Sequence, residues 1–226
     1  MILSTMDAVT LCECFARDGL QHEPSFVPTP SKRALVERFA TLGFPRVEAT
    51  SYSNPKVVPQ FADASELMKT LGKKPGVYYK ATCANPKAVE RALADLDAGH
   101  GANEISLLVS ASESHSQRNL KRSRAEQWQN AAEMVAAAKG RFRMVGTVSV
   151  AFGCPFEGPV GEEVVVSDFQ QFSDLGVQYI ALGDTIGAAT PVSVKSLLGK
   201  IRGGTPIAHF HDTRGTGLVN YVAAYE

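Results

Sequence analysis

No stretch of this 226-residue sequence approaches the ~20 consecutive apolar residues of a membrane span, so the sequence reading excludes a spanning helix. A surplus of one charge is equally absent. The chain carries 23 Lys and Arg against 23 Asp and Glu, which removes the basic excess typical of nucleic-acid binders, although a local patch survives that argument. Met1 to Ala8 lacks the basic start and apolar middle of a secretory signal. There is no low-complexity segment, no block of like charge and no linker. Cysteine is scarce. Cys12, Cys14, Cys83 and Cys154 are scattered, and Cys12-x-Cys14 is too close for a zinc knuckle and has no partner pair. All four are expected as reduced, mostly buried thiols, which points to the cytoplasm, or to an organelle matrix after removal of a leader.

What is present is an ordinary globular balance. Hydrophobic residues make up 44% and charged residues 20%, a ratio that argues against disorder at a length fitting one domain with a substantial core. Short apolar strands alternate with helical runs along the whole chain. Strands are expected at Val9–Cys14, Arg46–Ala49, Val77–Cys83, Glu104–Val109, Arg143–Ala151, Tyr179–Leu182 and Pro206–His209. Between them lie helices beginning near Pro28, Phe61, Pro86, Arg124, Glu162, Pro191 and Gly217. Gly43, Gly99, Gly140 and Gly176 stand where helices should stop. The repeat is the size of one βα unit, which implies parallel pairing and right-handed crossovers.

An open doubly wound sheet and a closed (β/α)8 barrel both fit that alternation. The Gly-x-Gly-x-x-Gly of dinucleotide folds is missing after the first strand. Polar residues instead follow nearly every strand, which is how a barrel assembles its site on one face. The expected fold is therefore α/β, a (β/α)8 TIM-type barrel. The count reaches only seven units, so residues 1–226 are expected to be a single catalytic barrel domain, incomplete at its C-terminus and lacking the last βα unit. An unclosed barrel exposes strand edges, so either the chain is truncated or a partner covers the gap, and truncation is the expectation.

His209-Phe210-His211 leaves the seventh strand with two imidazoles on one side, a geometry that can grip a divalent metal if oxygen ligands come from elsewhere. The plain alternative is two polar residues leaving a strand. Arg17-Asp18-Gly19, just past the first strand, offers the missing carboxylate. For Glu48, a structural ion pair with Arg17 is a serious alternative to a role in the site, and both can hold together.

Several blocks resemble 3-hydroxy-3-methylglutaryl-CoA (HMG-CoA) lyase, within the barrel metallolyases that break or make carbon–carbon bonds beside a thioester. They are Arg17-Asp18-Gly19-Leu20-Gln21-His22-Glu23, Val47-Glu48-Ala49-Thr50-Ser51, Pro55 to Gln60, Ser110-Ala111-Ser112-Glu113-Ser114, Gly153-Cys154-Pro155-Phe156-Glu157-Gly158, Leu182 to Gly187 and His209 to Thr213. The resemblance implies retro-Claisen cleavage of HMG-CoA to acetyl-CoA and acetoacetate, chemistry of leucine catabolism and ketone-body metabolism. It implies a Mg2+ or Mn2+ cofactor on Asp18, His209 and His211, with Arg17, Asp18 and Glu48 catalytic. Substrate contacts would come from Arg17, Gln21, Ser110, Asp184 and Thr185, and Asp212 would orient the histidines. The implied partners are an acyl-CoA substrate, no nucleic acid, no membrane, and a second copy in a dimer or larger homo-oligomer.

The resemblance also brings a departure. The family's catalytic cysteine sits in a glycine-rich loop after the eighth strand, with a metal-binding asparagine nearby. No cysteine here lies in that pattern, and Asn220 is no substitute for the asparagine. Readings held open beside the leading one are a lyase for another branched 3-hydroxyacyl-CoA and a non-catalytic metal- and acyl-CoA-binding relative.

Overall fold

The computed structural model describes residues 9–226. The expectation about Met1 to Ala8 lies outside the described residues. Among the described residues seven strands follow one another in the sheet in chain order. They are β1 (Cys12–Glu13), β2 (Arg46–Ser51), β3 (Tyr78–Cys83), β4 (Glu104–Ser110), β5 (Arg143–Ser149), β6 (Tyr179–Asp184) and β7 (Thr205–Phe210). The helices are α1 (Thr29–Thr41), α2 (Ala64–Thr70), α3 (Pro86–Asp97), α4 (Glu113–His115), α5 (Arg124–Ala138), α6 (Glu162–Asp174), α7 (Pro191–Lys200) and α8 (Gly217–Tyr225). Seven βα units of a TIM-barrel-type α/β fold are thus in place, as the alternation requires. Among the described residues no helix is long and apolar enough to cross a membrane.

Two compact units make up the chain. The first comprises residues up to Thr82 together with Arg91–Glu104. In it β1 pairs with β2 and β2 with β3, all parallel. Every residue of β2 is buried, as expected of a parallel strand covered on both faces. Val36 and Ala40 of α1, Phe61, and Leu67 and Met68 of α2 are fully or almost fully buried beside Val47, Ala49, Tyr79 and Ala81. Arg46 grips Glu104 with Nη2 at 2.7 Å and Nε at 3.1 Å, a forked pair in which both side chains are buried.

The second unit comprises Cys83–Glu90 and Ile105–Glu226. Here β5, β6 and β7 pair in parallel register, with Leu182 opposite Ala208 and Gly183 opposite His209. Trp128 of α5 and Phe172 of α6 meet with ring centres 4.8 Å apart. A smaller cluster of Ala189, Val194, Phe210 and Ala223 anchors α7 and α8 at the end of β7.

Some boundaries differ from the sequence reading for local reasons. The first strand shrinks to two residues, because from Cys14 onward the backbone folds into hydrogen-bonded turns. β2 and β6 run two residues further than expected, so Asp184 lies within its strand rather than after it, while Glu48 lies within β2 as expected. The segment after β4 is not an open loop. Ser112 caps α4 through its side chain, and a single π-helical turn, Ser116–Leu120, follows and ends at Lys121 with a left-handed φ of 59°.

Candidate functional site

In the first unit the polar residues converge behind β1. The Cys14 carbonyl accepts from the amides of both Arg17 (3.0 Å) and Asp18 (2.7 Å), a tight turn that sets these two side chains next to each other. Gly19 is required there, since a Cβ on it would stand 2.5 Å from the Phe15 ring. Arg17 then makes three contacts. Nε donates to Glu48 Oε1 at 2.9 Å, Nη1 lies 3.0 Å from Asp18 Oδ1, and Nη1 donates to Gln21 Oε1 at 3.3 Å. The ion-pair reading of Glu48 is therefore correct, and a role in the site is compatible with it.

Glu48 has two further partners that sequence reasoning passed over. Lys80, directly opposite it in the β2–β3 register, places Nζ 3.0 Å from Oε2. Thr82 donates its hydroxyl to Oε1. Burial alone would push the Glu48 carboxyl up. The charges of Arg17 and Lys80 and the bond from Thr82 outweigh it and hold the group down to about 2. Burial likewise opposes the charge on Arg17, but Glu48 and Asp18 raise its pKa above the ordinary arginine value, so the guanidinium stays charged at any working pH. A sequence signal for Lys80 exists but does not name its partner. A lysine and a threonine two apart in an otherwise apolar strand share a side and call for a buried counter-charge.

In the second unit, β7 and its exit position the two histidines. His211 Nδ1 donates to the Thr185 carbonyl at 2.9 Å, and the two Nε2 atoms face each other at 3.3 Å. The donor bond at Nδ1 fixes the neutral tautomer of His211 and turns its Nε2 lone pair toward His209. Two imidazole nitrogens so close need a shared proton or a cation between them, and that donor set fits a divalent metal. Thr185 is itself held, its hydroxyl accepting from the Val150 amide at 2.8 Å. Gly187, at φ 63°, lets the Thr185 loop approach closely, for a Cβ there would meet Thr213 at 2.8 Å and the His211 carbonyl at 3.1 Å.

Other expected residues have structural occupations. Asp184 is fully buried, and its two oxygens accept from the Ala188 (2.7 Å) and Ala189 (3.1 Å) amides. Asp212 does not orient the histidines as expected. It accepts from the Gly217 amide at 2.7 Å and holds the start of α8. Ser110 is buried, within 3.0 Å of His115 Nδ1, and Ser112 Oγ lies 3.0 Å from Cys154 Sγ. Burial pushes the His115 imidazole pKa down. All four cysteines are free thiols, Cys83 and Cys154 buried and the other two half-buried.

Known proteins resemble this chain in sequence and fold. The HMGL-like family model matches residues 8–226. The mitochondrial hydroxymethylglutaryl-CoA lyase of Rattus norvegicus is 39% identical over 223 residues, covering 96% of this chain and 67% of that protein. The Bacillus subtilis hydroxymethylglutaryl-CoA lyase YngG is 34% identical, with 96% of this chain and 73% of that protein covered. A solved HMG-CoA lyase from Acinetobacter baumannii, in complex with coenzyme A and 3-methylmalate, superimposes with a TM-score of 0.92 at 36% identity, over 99% of this chain and 73% of that one. Similarity of this extent in both sequence and fold establishes that the chain belongs to the HMGL-like family and is a lyase of the HMG-CoA lyase type.

Proposed function

We propose that this chain supplies the metal-binding and charge-stabilising part of a divalent-metal-dependent carbon–carbon lyase that cleaves HMG-CoA to acetyl-CoA and acetoacetate. The observation carrying the proposal is the histidine pair, whose two Nε2 atoms lie 3.3 Å apart with the His211 ring held at Nδ1 by the Thr185 carbonyl. The family resemblance implies that Asp18 would join His209 and His211 as a ligand. A bound Mg2+ or Mn2+ would hold the substrate's oxygens together and acidify its tertiary hydroxyl.

The chain's own residues do the rest. In retro-Claisen cleavage the hydroxyl gives up its proton and the C2–C3 bond breaks. The bonding pair moves onto the thioester as an enolate, which is then protonated to acetyl-CoA. Arg17 brings a permanent charge toward that developing oxyanion, and its planar fork is held in aim by Glu48 and Gln21. Lys80 keeps Glu48 ionised, so the clamp on Arg17 does not release as pH falls toward mild acid. Thr185 sets the His211 ring through its carbonyl. Ser110, within bonding distance of His115, is proposed for the acyl-CoA side of the site.

The test is acetyl-CoA release from HMG-CoA with Mn2+ supplied or chelated, together with calorimetric titration of Mn2+ alone. Release that disappears with chelator, and Mn2+ binding weakened at least ~10²-fold in His209→Ala and His211→Ala, are expected. Arg17→Gln should lower the rate by ~10²–10³ with Mn2+ binding retained. Undiminished Mn2+ binding in both histidine variants would overturn the assignment.

A further inference from the structure

Cys12 and Cys14 are absorbed by neither the fold nor the proposed chemistry. Being two apart on an extended segment, they project to one side, and their Sγ atoms lie 3.9 Å apart. Both are half-buried, within reach of a small oxidant, whereas Cys83 and Cys154 are buried. The Cys14 thiol also leans on the Cys12 carbonyl at 3.5 Å. Cys12 has the surroundings of a reactive thiol. Its hydrogen bond with Cys14 draws its pKa below the ordinary value, burial and the Glu48 charge oppose this, and the charges of Lys80 and Arg46 add to the lowering.

We propose that Cys12 and Cys14 form an oxidisable dithiol, closing to a disulfide with a hydroperoxide as oxidant and thereby loosening the turn that presents Arg17 and Asp18. The Cys12 thiolate attacks a peroxide oxygen, the O–O bond breaks, and water leaves after protonation. The resulting sulfenic acid is attacked by the Cys14 sulfur, its S–O bond breaks, and a second water leaves. Two thiols lose two electrons and two protons, and one hydrogen peroxide becomes two waters.

The consequence for the turn follows from one atom. The Cys14 carbonyl holds both the Arg17 and the Asp18 amide. Bringing the sulfurs from 3.9 Å to a bonded ~2 Å must draw Cys14 toward Cys12, and that carbonyl moves with it. The modification therefore acts on the backbone of the turn, without touching substrate or metal.

The experiment treats the 226-residue protein with hydrogen peroxide and reads intact mass, the peptide containing residues 12–14, and amide hydrogen exchange. A loss of two hydrogen masses confined to that peptide and reversed by dithiothreitol is expected. Amides of Arg17 and Asp18 should exchange roughly tenfold faster in the oxidised protein. Cys12→Ser and Cys14→Ser, near-isosteric changes, should show neither effect. Oxygen additions without hydrogen loss would overturn the proposal, as would a two-hydrogen loss that persists in either variant. A disulfide that leaves exchange at Arg17 and Asp18 unchanged would overturn the coupling to the turn. None of these readings depends on metal binding or turnover.

Discussion

Glu48 is the residue whose removal should report most directly on how the first unit is held together. It is fully buried between two cations, and its carboxyl lies at about 2 in the folded chain against an ordinary 4.5. Each pH unit between the folded and unfolded titrations is worth about 1.4 kcal/mol, so ionised Glu48 contributes roughly 3 kcal/mol at neutral pH. The sign follows from the lowered value. The contribution is complete above 4.5 and is lost as pH falls from there toward 2. Glu48→Gln keeps an acceptor for Arg17 and Thr82 but turns an amide toward Lys80, so it should lose the whole contribution at pH 7. For a chain of this size that corresponds to a melting temperature lower by roughly 6–12 °C. Denaturant unfolding at pH 7, 5, 4 and 3 tests the account, because the gap between wild type and Glu48→Gln should narrow steadily below pH 5. Lys80→Met in the Glu48→Gln background should recover part of the loss, since an unpaired buried cation is then removed as well. A gap that stays constant from pH 7 to pH 3 would refute the reasoning.

Further outcomes follow from other contacts. Glu104→Ala leaves the buried Arg46 guanidinium without its fork partner and should cost about 3–5 kcal/mol in denaturant unfolding. Gly146→Ala should destabilise by ~1–3 kcal/mol or more, because its Cβ would stand 2.6 Å from the Phe172 ring. Lys121→Gly relieves a left-handed backbone at an exposed site and should stabilise by roughly 0.5–1 kcal/mol, with no effect on Mn2+ titration. Saturating Mn2+ at about 100 times its dissociation constant should raise stability by ~2.7 kcal/mol in scanning calorimetry, and chelation should remove that gain. His209→Ala should show no such gain.

The alternation of strands and helices was legible because each unit announces itself twice, through an apolar run and through the glycine or proline that ends or begins a helix. The histidine pair was legible for the same periodic reason, since residues two apart on a strand must share a side. Lys80 was not, because a lysine in a strand reads as an edge or surface residue until the acid facing it is known. Register, not composition, puts Lys80 opposite Glu48. Asp212 misled for the converse reason. Its place beside His211 suggests a carboxylate–imidazole contact, but the backbone turns at once and directs the carboxylate to the Gly217 amide, a cap that sequence adjacency conceals. The α4 segment and the π-helical turn after it escaped notice because they are too short to develop a helical period.

At Gly187 the missing side chain acts as a spacer of zero thickness. The strip from His211 to Thr213 lies against it at less than the width of a methyl group. Any larger residue would have to pry the two loops apart, and the loop that moves carries the carbonyl steering one imidazole. A single added carbon there would thus be felt as a misdirected ring before it was felt as a weaker fold.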